Sequence, residues 1–266
     1  MKVGLAGLGT IGLVVARAID DGMDGLELVG VTVRDAEKAQ SRMAEFSNPA
    51  PILNPEELAA AADIVVECVP KEAFREIAEP ALKAGCLFIT VSGAGILANP
   101  DIVDMAKEHK AQIILATGAL LGLDAVRAAA EGVIKEVRMV TRKPPNSLIG
   151  APHLVKNDIS VEGLNERKKV FEGTAREGAE GFPANVNVAA ALGLAGIGPD
   201  ETKLEIWADP ALSRNTHRIH VEADSASFEM SIENVQSVEN PGTGKITALS
   251  VIACLRGQVA PLRVGS

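Results

Sequence analysis

The chain has 266 residues, of which 47% are hydrophobic and 23% are charged, and its net charge is −9. This apolar content is large enough to offset the entropy of ordering, so we expect a globular protein rather than a disordered one. The acidic balance and the lack of long Lys/Arg blocks exclude a nucleic-acid partner. No apolar run reaches the roughly 18 residues of a membrane span, so no membrane association is expected.

The first part of the chain alternates short apolar runs with helical patterns. Strands are predicted over residues 3–6, 26–33, 64–69, 87–91 and 113–116, and helices over residues 11–20, 35–46, 71–83 and 101–109. This alternation predicts parallel strands with helices on both faces of the sheet. Residues 1–118 are therefore predicted to form an α/β Rossmann domain with a doubly wound parallel sheet.

The pattern changes after residue 122. Helices are predicted over residues 123–131, 184–195 and 245–255, and strands over residues 133–141, 204–208, 216–222 and 227–232. Consecutive strands without intervening helices favour a mostly antiparallel sheet, so residues 119–266 are predicted to form an α+β substrate domain. The C-terminal helix, about residues 245–257, is an element that can pack back on the first domain.

A glycine motif follows the first predicted strand and opens the first predicted helix. Gly7, Gly9 and Gly12 fit the pattern G-x-G-x-x-G, with Thr10 and Ile11 between the last two. In this context the glycines permit a tight turn, a close approach of a pyrophosphate and close packing of helix on strand. The helix N-terminus would then bind the phosphates, which predicts NAD or NADP as the cofactor.

The ends of the next strands supply further candidates for cofactor contacts. Arg34 could pair with a 2′-phosphate, and Asp35 could either contact the ribose or cap the following helix, so we expect use of both cofactors. Cys68 and Val69 lie at the end of the strand predicted over residues 64–69, at the edge where open α/β sheets bind ligands. The three cysteines, at positions 68, 86 and 254, lack metal-type spacing, and no metal is expected.

One histidine is placed to take part in chemistry. Strand alternation puts His217 on the same face as Ile219 and Val221, whereas His220 falls on the opposite, solvated face. An inward-facing imidazole can be a hydrogen-bonded core residue or a group that handles a proton. Tyrosine is absent from the chain, so a mechanism with a Tyr general acid is excluded.

Six segments carry a resemblance to a known family. In order they are GLGTIG at 7–12, ATGALLGLDAV at 116–126, TRKPP at 141–145, FPANVNVAAALGLAG at 182–196, NTHRI at 215–219 and ENPGTGKITALS at 239–250. Together they resemble the L-aspartate dehydrogenases, which share a two-domain build with dihydrodipicolinate reductase and homoserine dehydrogenase. The resemblance implies oxidation of L-aspartate with NAD or NADP to iminoaspartate, which hydrolyses to oxaloacetate and ammonia and can feed NAD biosynthesis.

The resemblance also assigns roles to single residues. It implies that His217 is catalytic and that Ala119 and Asn187 contact the cofactor. Thr117 and the run Gly242–Gly244 depart from the family pattern, and the second departure removes a cation that could have held a substrate carboxylate. We expect Lys143, Ser237, Asn240 and Thr243 to be the candidates for binding the two carboxylates, because such a pocket needs cations or hydrogen-bond donors.

Two other functions remain open at this point. One is a reductase of a cyclic imine or semialdehyde with the same build, and the other is a protein that binds NAD(P) as a sensor without turnover. A sheet with one open face favours a homodimer. The chain enters a strand pattern directly after Met1, so we expect no signal peptide and a cytoplasmic location.

Overall fold

The computed structural model describes residues 1–183, 186–237, 239–240 and 242–265. The chain divides into two compact units. The first contains Met1–Gly118 and Thr247–Arg263, and the second contains Ala119–Ile246 and the C-terminal residues from Val264. Among the described residues, no helix is both long and apolar enough to cross a membrane.

The first unit is built on five parallel strands. They are β1 (Lys2–Ala6), β2 (Glu27–Thr32), β3 (Ile64–Glu67), β4 (Leu87–Thr90) and β5 (Gln112–Leu115), in the spatial order β2-β1-β3-β4-β5. All four residues of β3 are buried, which is typical of a central strand whose two faces are both covered. The predicted Rossmann sheet is confirmed.

Six helices follow these strands in the first part of the chain. They are α1 (Thr10–Asp20), α2 (Ala36–Met43), α3 (Pro55–Ala61), α4 (Phe74–Lys83), α5 (Gly93–Ala98) and α6 (Ile102–Glu108). Two apolar clusters cover the two faces of the sheet, one with Val3 and Val66 and the other with Val65 and Phe88. Helix α3 was not predicted, although Asn54 and Glu57 form a capping box at its start.

The second unit is built on a five-stranded mixed sheet. Its strands are β6 (Ile134–Lys143), β7 (Lys168–Thr174), β8 (Lys203–Ala208), β9 (Thr216–Ala223) and β10 (Ser227–Glu233), in the order β10-β9-β6-β8-β7. Only the β6–β8 pair is parallel among these strands, so the predicted mostly antiparallel sheet is confirmed. Strand β7 was not predicted.

One face of this second sheet is covered by helices. They are α7 (Leu123–Ala130), α8 (Pro152–Lys156), α9 (Ala175–Gly181) and α10 (Asn187–Ala195). The helix predicted over 184–195 includes Ala184 and Asn185, which lie outside the described residues. The core on this face includes Met139, Ile206 and Ile219 from three neighbouring strands. Alternate residues of the same strands, such as Arg138 and Trp207, therefore lie on the opposite, open face.

The last helix, α11 (Lys245–Val259), completes the core of the first unit. Val251 and Leu255 are fully buried in the cluster that also contains Val3 and Val15. Near the start of this helix, the Ser250 hydroxyl accepts a hydrogen bond of 3.0 Å from the backbone N–H of Gly118, just beyond β5.

Candidate active site

The glycine loop after β1 has a conformation that only glycine tolerates at two positions. Gly7 has a φ of +92°, and a Cβ added there would lie 2.7 Å from the carbonyl oxygen of Cys68. A Cβ on Gly12 would lie 1.8 Å from the carbonyl oxygen of Gly7. A residue with a side chain is therefore excluded at both positions. The backbone of the loop packs directly against the residue after β3 on one side and against the first turn of α1 on the other.

Gly9 differs from these two glycines because space is open above it. A Cβ added at Gly9 would meet no heavy atom within 4 Å. Gly9 precedes α1 without a side-chain cap, and the first turn of α1 contains no acidic residue. The first N–H groups of α1, which include those of Thr10 and Ile11, thus lack intrahelical partners and an internal anion. This open cradle fits the pyrophosphate of a dinucleotide.

Helix α2, which follows β2, contacts the same loop through one side chain. Arg42 of α2 donates a hydrogen bond to the carbonyl oxygen of Leu8, a contact that sequence reasoning missed. The Asp35 carboxylate accepts a 3.0 Å hydrogen bond from the backbone N–H of Lys38 and so caps α2. Of the two predicted roles of Asp35, the structure shows the helix cap. Arg34 is exposed beside it.

Cys68 and Val69 follow β3, next to the glycine loop. The backbone N–H of Val69 donates to the Glu67 carboxylate at 2.8 Å. Burial, followed by the negative charge of Glu67, raises the pKa of the Cys68 thiol well above its ordinary value. Cys68 is therefore a neutral thiol at physiological pH, and its neighbour Glu67 is a buried group that the sequence analysis did not select.

His217 lies on β9 of the second unit, on the helix-covered face of the sheet. It is 2% exposed, and its Nδ1 lies 3.1 Å from the Thr141 hydroxyl of β6, the residue directly opposite in the strand register. Burial, with a further contribution from the charge of Lys143, lowers the pKa of His217 to about 3. The imidazole is therefore uncharged, and Thr141 orients it.

Lys143 lies two residues beyond Thr141 on the same face of β6. The side chain is buried, and this burial lowers the pKa of Lys143 to about 8. Because Thr141 lies directly opposite His217 in the strand register, Lys143 is on the same face of the sheet, two residues along β6 from the partner of His217. The structure thus brings together two of the predicted site residues, one predicted to be catalytic and one predicted to bind substrate.

A second polar group lies at the strand ends of the same sheet. Asn234, just after β10, donates from its side-chain amide to the carbonyl oxygen of Ala119 at 3.0 Å. Its backbone N–H donates to the carbonyl oxygen of Asn215, just before β9, at 2.9 Å. Both asparagines are buried, and sequence reasoning selected neither of them. The predicted cofactor contact Ala119 is therefore fixed to the sheet through Asn234.

The loop before α11 contains the other predicted substrate residues. The Ser237 hydroxyl donates to the carbonyl oxygen of Asn240 at 2.7 Å, and the Asn240 side chain accepts from the backbone N–H of Gly242 at 3.0 Å. The backbone N–H of Ser237 donates to the carbonyl oxygen of Thr243 at 2.8 Å. Ser237 and Asn240 therefore shape this loop, whereas Thr243 is half-buried within it.

Asn187 is the first residue of α10, and its side chain is exposed. The helix is preceded by Val186, so Asn187 does not act as the N-cap. Within the described ranges, no cluster of three or more His, Cys, Asp or Glu side chains could hold a metal ion. The chemical groups that the structure shows here are the backbone N–H groups at the start of α1, the imidazole of His217 and the amine of Lys143.

Comparison with protein families matches both halves of the chain. Residues 7–116 match the family model described as the homoserine dehydrogenase NAD binding domain, and residues 124–258 match the model described as the aspartate dehydrogenase C-terminal domain. The first match agrees with the open cradle at Gly9. The cofactor is accordingly NAD or NADP.

Similar proteins cover the whole chain. A relative from Bradyrhizobium diazoefficiens, named L-aspartate dehydrogenase, is 56% identical over 100% of this chain and 94% of its own length. One from Methanosarcina mazei with the same name is 39% identical over 100% of both chains. The crystal structure of aspartate dehydrogenase from Thermotoga maritima has a TM-score of 0.78 and 25% identity, over 100% of this chain and 99% of that one. The chain therefore belongs to the aspartate dehydrogenase family.

Proposed function

We propose that this protein oxidises L-aspartate to iminoaspartate with NAD or NADP, and that iminoaspartate then hydrolyses to oxaloacetate and ammonia. The observation that carries the proposal is the buried, uncharged His217 beside the buried Lys143, in a chain whose full-length relatives are named L-aspartate dehydrogenase. The product can feed NAD biosynthesis, which forms part of the proposal.

The two units have different tasks in this proposal. The first unit, with Gly7, Gly9, Gly12 and the N-terminus of α1, holds the pyrophosphate. Ala119 and Asn187 are proposed to contact the dinucleotide from the second unit. When bound, the oxidised cofactor supplies the acceptor for the hydride that leaves the substrate Cα. We propose use of both cofactors, since Arg34 is exposed beside Asp35 and offers a guanidinium to a 2′-phosphate.

Lys143 is proposed to bind a substrate carboxylate. Burial lowers the pKa of Lys143, because a low-dielectric surrounding opposes the charge of the ammonium. A substrate carboxylate placed against Nζ would favour the charged form through a charge-assisted hydrogen bond. The Thr243 hydroxyl is proposed to donate to the second carboxylate, on the loop that Ser237 and Asn240 hold in shape.

Binding of the substrate then changes the chemistry of His217. The positive charge of Lys143 is one cause of the low pKa of the imidazole, so a carboxylate bound to Lys143 raises that pKa. Thr141 is hydrogen-bonded to Nδ1, so Nε2 is the ring nitrogen that we assign to the reaction. We propose that it orients the substrate amine and takes a proton from it or from the water that attacks the imine.

Steady-state assays with several substrates test this function. We expect L-aspartate to reduce NAD+ or NADP+, with homoserine and dihydrodipicolinate giving no comparable rate. Turnover of a cyclic imine or a semialdehyde in preference to aspartate would indicate another enzyme of the same build. Binding of the cofactor without turnover of any of these substrates would indicate a sensor.

The assembly and location are further parts of the proposal. We propose a homodimer that uses the open face of the second sheet, which carries Arg138 and Glu205 as an ion pair and the partly exposed Trp207. A cytoplasmic location is supported by the three free thiols at positions 68, 86 and 254, because reducing compartments preserve free cysteines.

A further inference from the structure

Glu67 is a buried acidic residue that the mechanism above does not use. It is the last residue of β3, and its exposed fraction is 0%. In the strand register it lies between Ala6 of β1 and Thr90 of β4. It therefore sits at the carboxyl edge of the parallel sheet, where open α/β sheets bind their ligands, and its chain neighbour Cys68 contacts the glycine loop.

Each oxygen of the Glu67 carboxylate accepts a hydrogen bond. Oε1 accepts from the backbone N–H of Val69 at 2.8 Å, and Oε2 accepts from the hydroxyl of Thr90 at 2.5 Å. The Thr90 oxygen itself accepts from the backbone N–H of Ser92 at 2.8 Å, so its hydroxyl proton is left to point at Glu67. All the donors thus converge on the carboxylate, a pattern that fits its ionised form.

The charge of this carboxylate is not balanced within the described residues. In the part of the chain that the structure describes, Glu67 belongs to no ion pair, and the hydrogen bonds that favour its ionised form come from uncharged groups. Burial acts against them and raises the pKa of Glu67. Holding an unpaired charge inside the protein is costly, and a cationic ligand at the strand ends would compensate it. Oxidised nicotinamide carries one positive charge, whereas the reduced ring is neutral.

We propose that Glu67 is the counter-charge of the oxidised nicotinamide ring and gives this protein tighter binding of the oxidised cofactor than of the reduced one. The negative charge of the carboxylate attracts the positively charged ring bound at the strand ends. Thr90, Ser92 and Val69 hold the carboxylate in place. The inference concerns cofactor binding alone and does not depend on which substrate is oxidised.

Equilibrium binding of both redox forms tests this role. Dissociation constants for NAD+ and NADH, and for NADP+ and NADPH, are measured for wild type and for Glu67→Gln. We expect the substitution to weaken binding of the oxidised form about tenfold more than binding of the reduced form. This size is what the loss of one attraction between a carboxylate and a positively charged ring gives in a partly screened environment. An equal change for both forms would show that Glu67 is only a structural residue.

Glu67→Asp is the matched control, because it shortens the side chain and keeps a carboxylate. This variant should weaken both redox forms by similar factors, so that their ratio stays close to that of wild type. Selective loss of the oxidised form in Glu67→Asp would contradict the proposal, since the carboxylate is still present.

A measurement on wild type covers the case in which Glu67→Gln does not fold. Titration calorimetry at mildly acidic pH, in two buffers of different ionisation enthalpy, counts the protons released on binding. The oxidised form should release more protons than the reduced form, because it favours the charged carboxylate. The neighbouring titratable group, the Cys68 thiol, stays protonated at that pH since its pKa is raised. Equal proton release for the two forms would overturn the proposal.

Discussion

The pKa values of His217 and Lys143 are both lowered, and the two residues are coupled. Burial opposes the charge on each group, and the positive form of Lys143 further opposes a proton on His217. An anionic substrate reverses the second effect, because its carboxylate neutralises the lysine charge. The free enzyme therefore keeps a poor base at this position, and the proposed substrate converts it into a better one.

Replacement of His217 tests its role directly. We expect His217→Ala to lower kcat by about 100-fold while the cofactor dissociation constant stays within about twofold, because a positioned acid–base group acts only in the reaction. His220→Ala is the control, as His220 lies on the same strand but faces the other side, 3.7 Å from Glu229. An unchanged kcat in His217→Ala would remove the imidazole from the mechanism.

Binding of succinate isolates the role of Lys143, because this dicarboxylate lacks the substrate amine. We expect its dissociation constant to be constant below about pH 8 and to rise above it, since Lys143 loses its charge as the pH passes its pKa of about 8. The rise should level off above the pKa that Lys143 has in the complex, which is higher than in the free protein because the carboxylate favours the ammonium.

Two variants complete the succinate experiment. Lys143→Met should weaken succinate binding by about tenfold or more at pH 7 and remove the dependence on pH in this range. Lys143→Arg should still bind succinate, and its dissociation constant should not rise above about pH 8, because the guanidinium keeps its charge. Equal affinity in wild type and Lys143→Met would exclude Lys143 as a carboxylate ligand.

At the scale of elements, the parallel sheet could be predicted because its strands are continuous apolar runs separated by helical patterns. Strand β7 could not, since it begins with Lys168 and Lys169 after another basic residue and offers little alternation. The glycine loop was predictable because a fixed spacing encodes its backbone shape. Glu67 and Asn234 were missed because their importance comes from burial and partners on other strands, which a linear pattern does not report.

The glycine loop gives a prediction that separates binding from folding. Gly9→Ala should weaken cofactor binding about tenfold with a change in unfolding free energy below about 0.5 kcal/mol, because its Cβ enters the open space above the loop. Gly12→Ala should destabilise the protein by about 3 kcal/mol, because its Cβ would clash with the Gly7 carbonyl oxygen. Isothermal titration calorimetry measures the cofactor dissociation constant, and chemical denaturation measures the free energy of unfolding. Unaltered cofactor affinity in Gly9→Ala would exclude this loop as the phosphate site.

At the scale of the whole molecule, the proposed homodimer can be tested through the open face of the second sheet. Light scattering should give twice the chain mass of 27.7 kDa. Val140→Arg, which adds a like charge between Arg138 and Arg142 on this face, should give a monomer. Val155→Arg is the control, because Val155 is 70% exposed on α8. A monomeric wild type would contradict the proposal.

The fluorescence of Trp207 provides an independent check, because it is the single tryptophan of the chain and lies on that face. Dilution that dissociates the dimer should expose Trp207 to water and shift its emission to the red. This shift should follow the fall in molar mass from dimer to monomer. A shift without a change of mass would mean that Trp207 reports a local event.

The first unit takes its last helix from the far end of the chain, with Val251 and Leu255 buried beside Val3. During synthesis the nucleotide-binding unit therefore stays unfinished until residues 247–263 have left the ribosome. A fragment that stops at residue 118 would expose the apolar surface that α11 covers, and we expect it to aggregate unless the helix is supplied as a separate peptide.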